Sequence, residues 1–353
     1  MAYTTIDNPE LYFQTKLYTG NGSSRSITLD GDEDMQPDWS WFKARSEAYN
    51  HALFDSVRGT TKLIRSNQTT AEETHSTTLT AFNSDGFSLG GGDAFTNANS
   101  VTYASWHWKA GTSFSNDASA TSVGSIDSSG SINTTAGQSI ISWTGSGSGA
   151  TIAHGLGIQP QIVFVKNRSD TASWNVYTVI GGGGKGLFLN EQNGFDSDSS
   201  YFNNGTASTT TFPVGTANTA NGSSDNMIAY CFANVKGYSK IFQYEGNSNS
   251  DGTFVYLGFR PAWLMVKPVD ASDNWVMFDN KRHNAKNSST APYFFYANKD
   301  FAETTDTKLI DLTSNGFKIR SSGNTVNRSS TFVGIAFAES SFVNSNGVPN
   351  NAR

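Results

Sequence analysis

Three aspartates at alternate positions are the residues whose types and spacing come nearest to a metal site. Asp30, Asp32 and Asp34 in the segment DGDED are spaced like the first ligands of a calcium-binding loop. The sixth position of such a loop would be Met35 instead of glycine, and the twelfth would be Trp41 instead of glutamate, so the EF-hand pattern is not met. The cluster therefore predicts either a calcium site or a solvated turn, and no other cofactor is expected.

The remaining reactive residue types favour a protein that is not an enzyme. The histidines show no H-x-x-x-H spacing, and a single cysteine excludes a C-x-x-C pair, so zinc binding is not predicted. Cys231 lies in the apolar segment AYCFAN and is expected to be a buried, unreactive thiol. The segment GGGGK at 181–185 lacks the spacing of a phosphate-binding loop and predicts a hairpin tip. A glycan hydrolase needs two carboxylates in one cleft, and no acidic pair is singled out.

Composition excludes two classes of partner. The net charge is −6 and charged residues make up only 15% of the 353 residues, whereas nucleic-acid binding needs a basic field. No run of 18 apolar residues and no apolar leader segment is present, so we expect folding in a cytosol and no membrane insertion. Hydrophobic residues are 36% of the chain and aromatic residues 13%. This ratio predicts a small core built largely of aromatic rings.

A search for internal repeats finds one stretch three times. PDWSWFK at 37–43 returns as PQIVFVK at 160–166 and as PAWLMVK at 261–267, each with a lysine six positions after the proline. Upstream of each stretch a strand-like segment ends in glycine, and downstream each unit closes with an aromatic segment, SWHWKAG, AYCFANVKG or GIAFAES. The chain therefore reads as three copies of one unit of about 100 residues.

The spacing of these blocks sets the predicted boundaries. The first unit spans 1–111 and is followed at 112–136 by a Ser/Gly/Thr-rich tract, which predicts a linker or a long surface loop. The second unit spans 137–237 and the third 238–342. The tail at 343–353 has no apolar pattern and is expected to be extended.

Each unit is predicted to be a β-sandwich, so the fold class is all-β with three tandem sandwich repeats. Apolar runs are short, about seven occur per unit, and Gly, Asn, Asp or Ser separates them. In PDWSWFK, Trp39 and Trp41 share one face with Lys43 while Phe42 occupies the other. Because both faces are apolar in all three copies, Trp39, Trp41 and their counterpart Trp263 are expected in the core. The lysine is expected at the solvent end of the strand.

The ordered blocks from about residue 11 to residue 342 also carry a family resemblance. QPDWSWFKARS, HALFDSVRGTTKLI and YASWHWKAG, then IAHGLGIQPQIVFVKNRS, then FVYLGFRPAWLMVKPVDASDNWVMFD resemble an uncharacterised three-part domain of virion proteins from marine tailed phages of the cyanophage and pelagiphage kind. Such domains are found in tail-fibre and tail-associated proteins. The resemblance implies a place in the virion, after assembly in the host bacterial cytoplasm, and brings no catalytic residue.

These observations together predict a non-enzymatic structural protein of a phage virion, most simply a tail fibre or tail-associated component that contacts host-surface glycans. The alternatives are a capsid decoration or cement protein and a glycan depolymerase. Expected partners are other virion proteins and further copies of the chain, as a homo-oligomer such as a trimer. Three aromatic residues in loop-like segments, Trp174, Trp275 and Tyr201, are candidates for stacking on sugars, with packing at the sandwich rim as the alternative.

Overall fold

The computed structural model describes residues 3–282, 293–305 and 309–349. Within these residues the chain is all-β: every pairing between named strands is antiparallel, and the α-helices are single turns of four residues. None of the described helices is long and apolar enough to cross a membrane. The helical turns are a 3-10 turn at Pro9–Leu11 and α1 Ala118–Thr121, α2 Ser199–Phe202, α3 Asn218–Asn221 and α4 Asn324–Asn327.

The described strands fall into three successive groups along the chain. The first group is β1 Phe13–Thr19, β2 Arg25–Ile27, β3 Trp39–Ala44, β4 Ala52–Asp55, β5 Gly59–Ile64, β6 Glu73–Thr74, β7 Leu79–Asn83, β8 Gly86–Leu89 and β9 Thr102–Trp108. The second group is β10 Thr112–Asn116, β11 Ser128–Asn133, β12 Gln138–Thr144, β13 Ala150–Ala153, β14 Pro160–Asn167, β15 Asn175–Thr178, β16 Leu187–Phe188, β17 Thr211–Val214 and β18 Asn226–Ala233. The third group is β19 Ser239–Glu245, β20 Phe254–Tyr256, β21 Phe259–Pro268, β22 Val276–Asp279, β23 Tyr293–Tyr296, β24 Thr304–Thr305, β25 Ile310–Thr313, β26 Gly316–Ile319 and β27 Thr331–Ser341.

Each group forms one large and one small sheet. Large sheet A has the order β1-β9-β3-β4-β5-β6, large sheet B β10-β11-β12-β18-β14-β15-β16, and large sheet C β19-β27-β21-β22-β23-β24. The small sheets are a (β2-β8-β7), b (β13-β17) and c (β20-β26-β25). The central strands have the same order in all three large sheets. The strand that carries the repeated stretch lies between the last strand of its group and the next strand along the chain: β3 between β9 and β4, β14 between β18 and β15, and β21 between β27 and β22.

The registers of these central strands match residue by residue. In sheet A, Trp39 of β3 lies opposite Trp108 of β9 on one side and Asp55 of β4 on the other. In sheet B, Ile162 has the neighbours Phe232 and Thr178, and in sheet C, Trp263 has the neighbours Phe337 and Asp279. Positions in the three groups can therefore be equated without reference to loop lengths.

Each large sheet buries both faces, because one packs on its small sheet and the other on the remaining large sheets. Between sheets A and a lies an apolar cluster that contains Phe42, Phe54 and Phe87, and similar clusters lie between B and b and between C and c. The opposite faces of A, B and C contribute to a single cluster, here called the shared core. Its large rings are Phe13, Trp39, Trp41, Trp106, Trp108, Phe164, Trp174, Tyr230, Phe232, Tyr238, Trp263, Trp275, Phe295 and Phe337.

Burial of the repeated stretch is confirmed. Trp39, Trp41 and Trp263 are 4%, 1% and 2% exposed, and all three belong to the shared core. A strand that is apolar on both faces needs a partner layer on each side, and the large sheets provide that environment for β3, β14 and β21. The thiol of Cys231 is also buried, which raises its pKa to about 12, as expected for an unreactive cysteine.

The prediction of a linker or loop at 112–136 is wrong. This tract forms β10, α1 and β11, and β11 pairs with the edge of β12 from Ser129 to Asn133. It covers an edge strand and contributes only partly buried side chains, among them Phe114, Ile126 and Ile132, to the cluster of sheet B. A strand whose main role is backbone pairing at a sheet edge can be rich in Ser and Gly, so the composition of this tract did not reveal β10 and β11.

The prediction of an extended tail at 343–353 is also wrong for the part that the structure describes. Val343 and Pro349 form an antiparallel bridge around a turn, and the backbone N–H of Ser345 donates to Asp7 Oδ1 at 2.7 Å. The Ser345 hydroxyl donates to the other carboxylate oxygen, and these two hydrogen bonds lower the pKa of Asp7. The turn thereby joins the two ends of the described chain, while 350–353 lie outside the described residues.

Candidate functional site

Three ring-bearing side chains link the large sheets to one another around the shared core. They occupy the equivalent position just before β4, β15 and β22. Each ring nitrogen bonds to a backbone carbonyl oxygen in a strand of the next large sheet or, for Arg65, directly after strand β5. The bonds join Trp174 Nε1 to Arg65 O (2.8 Å), Trp275 Nε1 to Phe188 O (2.9 Å) and His51 Nε2 to Tyr296 O (3.0 Å). Since Trp41 Nε1 donates to His51 Nδ1, the His51 ring carries its proton on Nε2 and donates like the two indoles. The three contacts close a ring from B to A, C to B and A to C.

Trp174 and Trp275 are therefore not the exposed sugar-stacking residues that the sequence predicted. Both are 0% exposed, so no sugar can reach either ring. Tyr201 is half-buried at the rim, packs edge-on against Phe188 and donates its hydroxyl to Asp196 Oδ2 at 2.7 Å. Burial and the Asp196 carboxylate raise the pKa of Tyr201. The structure does not bring the three predicted residues together into one surface.

The lysines of the repeated stretch lie inside the molecule, contrary to the expected solvent end of the strand. Lys43, Lys166 and Lys267 are each 0% exposed, and each Nζ donates to backbone carbonyl oxygens. The contacts are Lys43 to Ala44 O (2.8 Å) and Glu47 O (3.3 Å), Lys166 to Ala172 O (2.7 Å) and Thr69 O (3.0 Å), and Lys267 to Asp273 O (2.7 Å) and Gln192 O (2.6 Å). Thr69 and Gln192 belong to the neighbouring group of strands, so two of the lysines cross a boundary between groups.

Burial shifts the titration of these three amines. Removing an ammonium group from water disfavours its charged form, and this lowers the pKa of Lys43 and of Lys267 to about 7 and that of Lys166 to about 8. Nearby carboxylates oppose the shift: Asp300 acts on Lys43, Asp170 on Lys166 and Asp273 on Lys267. The lysines therefore act as buried hydrogen-bond donors whose charge depends on pH near neutrality.

These shifts predict that the free energy of unfolding rises with pH between about 7 and 10. In this window the unfolded chain binds more protons than the folded chain, because an exposed lysine has a pKa of 10.5. Stability therefore increases with pH until ionisation of tyrosines in the unfolded chain opposes it. Urea unfolding at a series of pH values measures this slope.

The matched variant carries methionine in place of Lys43, Lys166 and Lys267, and we expect its slope to be nearly flat over the same window. Loss of the carbonyl hydrogen bonds also lowers the stability of the variant, so the comparison concerns the slope with pH and not the absolute free energy. An unchanged slope in the variant would show that the three amines do not titrate in the folded state.

A buried ion network lies at the boundary between sheets A and B. Arg58 Nε contacts Asp55 Oδ2 at 2.5 Å, and both side chains are 0% exposed. Tyr230 of sheet B donates its hydroxyl to the same oxygen at 2.6 Å. Glu72 bridges the Arg58 guanidinium at 3.2 Å and the Arg168 guanidinium at 2.8 Å. Because every charge has an opposite charge beside it, the burial of the network is electrostatically supported.

The same network recurs at the boundary between sheets C and A. Arg282 Nε contacts Asp279 Oδ2 at 2.6 Å, and Trp106 of sheet A donates its indole N–H to that oxygen at 3.0 Å. Glu303 lies 3.0 Å from the Arg282 guanidinium and 2.9 Å from the Arg45 guanidinium. Each residue occupies the position of its counterpart in the first network.

At the boundary between sheets B and C the charged residues are replaced. Thr178 stands where the other networks have aspartate, and its hydroxyl accepts from Gly181 N at 3.0 Å. Phe195 N donates to Val269 O at 2.6 Å, as Glu72 N does to Arg168 O and Glu303 N to Arg45 O. A Phe–Val pair thus takes the place of a Glu–Arg pair, which is a physically acceptable exchange for a buried ion pair.

The predicted calcium ligands are not gathered into a site. Asp30 forms an ion pair with the Lys16 ammonium, and Asp30, Asp32 and Asp34 are all exposed to solvent. In the part of the chain that the structure describes, no group of three or more His, Cys, Asp or Glu side chains could hold a metal ion. The solvated turn is the alternative that agrees with this arrangement.

Two exposed rings on the small sheet c were not predicted from the sequence. Phe254 and Tyr256 are 44% and 50% exposed and border an open groove of about 440 Å³ between β19 and β20. The signal was present in the segment TFVYLG, where two aromatic residues flank a buried Val255 at alternate positions. The corresponding strands of the other two groups have no aromatic residue at these two positions, and this difference separates Phe254 and Tyr256 from the core aromatics.

Comparison with known proteins gives one result on the family. A family model described as "Domain of unknown function (DUF7483)" matches residues 8–341, which is nearly the whole chain. No curated protein matches the chain.

Proposed function

The chain belongs to the DUF7483 family, and we propose that it is a non-enzymatic structural protein of a bacteriophage virion. In this proposal the chain is three tandem β-sandwich repeats of about 100 residues, arranged around the shared core. The repeats correspond to the groups of sheets A with a, B with b, and C with c. The matching registers of β3, β14 and β21 support this division.

The observation that carries the proposal is the closed ring of bonds made by His51, Trp174 and Trp275. Each repeat fixes the next one and the last fixes the first, so no repeat is free to move as a separate domain. Equivalent positions serve for packing and buried donors in all three repeats and for ion networks at two of the three boundaries, which favours a rigid body with an internal threefold arrangement. A rigid body of this kind suits a component that is built into a particle and must keep its shape outside the cell.

Within the virion we propose a tail fibre or tail-associated protein that contacts host-surface glycans. Its partners are other virion proteins and, as a homo-oligomer, further copies of the chain; a trimer would match the internal arrangement of three repeats. The resemblance of the repeated blocks to tail-fibre domains of marine phages supports the tail over the alternatives. Those alternatives are a capsid decoration protein and a glycan depolymerase.

Localisation on the particle tests the proposal. Antibody raised against the purified protein, detected by gold labelling of intact virions, is expected to mark the tail, and quantitative mass spectrometry of virions is expected to find few copies per particle. Labelling of the capsid with a copy number comparable to that of the capsid protein would favour the decoration protein. Absence of the protein from purified virions would overturn the proposal. Release of reducing ends from host polysaccharide would instead identify a depolymerase.

A further inference from the structure

Two aromatic rings lie on the outer face of small sheet c. Val255 is 5% exposed and packs in the cluster between sheets C and c. Because side chains alternate along a strand, Phe254 and Tyr256 on either side of it point away from that cluster. Their exposure of 44% and 50% leaves two large rings on the same solvent-facing side of β20.

The other two small sheets have small residues at the same positions. Val255 lies opposite Phe317, as Ile27 lies opposite Phe87 and Ile152 opposite Phe212. The counterparts of Phe254 are Ser26 and Thr151, and those of Tyr256 are Thr28 and Ala153. The fold therefore does not require rings at these positions, and their presence in sheet c distinguishes its outer face from those of sheets a and b.

Contacts around Tyr256 hold its ring in place. The Tyr256 hydroxyl lies 3.3 Å from the hydroxyl of Tyr3, which donates to Gly258 O at 3.0 Å. Lys240 Nζ donates to the Tyr256 carbonyl oxygen at 2.8 Å and lies 5.3 Å from the centre of the Tyr256 ring. A side chain that is already fixed loses little freedom when a ligand binds to it.

Cations and polar groups surround the rings. The groove between β19 and β20 is lined in part by Lys240, Gln243, Glu245 and Thr253, and Lys236 Nζ lies 4.3 Å from the centre of the Tyr3 ring. Within the described residues, neither Lys236 nor Lys240 forms an ion pair with a carboxylate. Two ammonium groups thus lie beside aromatic rings without a direct ion pair, and the Glu245 carboxylate in the lining of the groove accepts instead from the Thr331 hydroxyl at 2.7 Å.

We propose that this groove, with its rings Phe254 and Tyr256, binds a glycan whose sugars carry carboxylate groups. The electron-rich faces of the two rings attract the C–H faces of sugars, while side chains of the groove bond to hydroxyl groups. The ammonium groups of Lys236 and Lys240 attract the carboxylates. This inference rests on the proposed role in host recognition and names the class of ligand for it.

Calorimetric titration of the full chain with a short oligogalacturonate tests the inference, and a neutral oligosaccharide of similar length serves for comparison. We expect binding of the acidic sugar, weakened by at least about tenfold in the Phe254→Ser/Tyr256→Thr variant. This variant carries the residues that sheet a has at the same positions, so the fold should tolerate it. Lys236→Gln should reduce the preference for the acidic over the neutral sugar. Phe301→Ser, at a ring 54% exposed outside the groove, should leave binding unchanged.

Three results would overturn the inference. The first is binding of the oligogalacturonate that survives in the Phe254→Ser/Tyr256→Thr variant, and the second is no binding by the unaltered chain. The third is self-association of the unaltered chain in sedimentation that the double variant abolishes, which would make a second copy the occupant of the groove. Because the titration uses purified protein, its failure leaves the localisation on the virion untouched. Absence from the virion would refute the proposed function whatever the titration shows.

Discussion

Replacement of Arg58 by methionine is expected to lower the free energy of unfolding by about 3–5 kcal/mol. The substitution removes the cation from a network in which Arg58 and Asp55 are both fully buried. The Asp55 carboxylate then remains in the interior with only hydrogen-bond donors, and Glu72 loses one of its two guanidinium partners. An uncompensated buried charge is among the most destabilising changes that a single substitution can make. Urea unfolding followed by tryptophan fluorescence measures the loss.

The chain itself provides the matched control for this prediction. Thr178 and Gly181 stand at the positions of Asp55 and Arg58 in sheet B, so a neutral pair is compatible with the backbone there. The double variant Asp55→Thr/Arg58→Met removes both charges and is expected to be clearly more stable than Arg58→Met alone. If the double variant loses the sum of the two single effects, the ion pair does not explain the cost.

Replacement of Trp39 by alanine is expected to cost about 3–5 kcal/mol for a different reason. The Trp39 ring lies 4.4 Å from that of Trp108 in its own sheet and 4.5 Å from that of Tyr230 in sheet B, measured between ring centres. Within the described residues the Trp39 indole N–H has no hydrogen-bond partner, so the loss comes from packing and from the cavity left behind. The thermal unfolding midpoint and the urea midpoint should both fall.

Phe42→Ala is the control that separates packing against a small sheet from packing between the large sheets. Phe42 lies on the same strand and is 0% exposed, but it faces small sheet a. Its loss should cost a similar free energy while leaving the contacts between the large sheets intact. If Phe42→Ala destabilised all three large sheets equally, the face of β3 toward sheet a and its face toward the shared core would not have separable effects.

The burial of the repeated stretch could be predicted because it depends on a local pattern that occurs three times. Apolar residues on both faces of PDWSWFK require layers on both sides of the strand, whatever those layers are. The all-β class followed for the same reason, since short apolar runs between turn residues set a strand period. The exchange of Trp39 for Ile162 at one register position was also compatible with a core and not with a binding surface.

The lysines and the two loop tryptophans could not be placed from the sequence because their surroundings come from distant segments. Lys166 is satisfied partly by Thr69 O, and Trp174 by Arg65 O, about a hundred residues earlier. No local pattern indicates that a carbonyl oxygen of another group of strands will be available. A buried lysine is also rare without a carboxylate partner, so solvent exposure was the natural expectation for Lys43, Lys166 and Lys267.

If the three large sheets are coupled through the shared core into one body, the Trp39→Ala substitution should change hydrogen exchange in all three of them. We expect faster amide exchange in β18 of sheet B and β27 of sheet C as well as in β9 of sheet A, whereas Phe42→Ala should accelerate exchange mainly in sheets A and a. Acceleration by Trp39→Ala that stays within sheets A and a would instead show three independent domains joined in one chain.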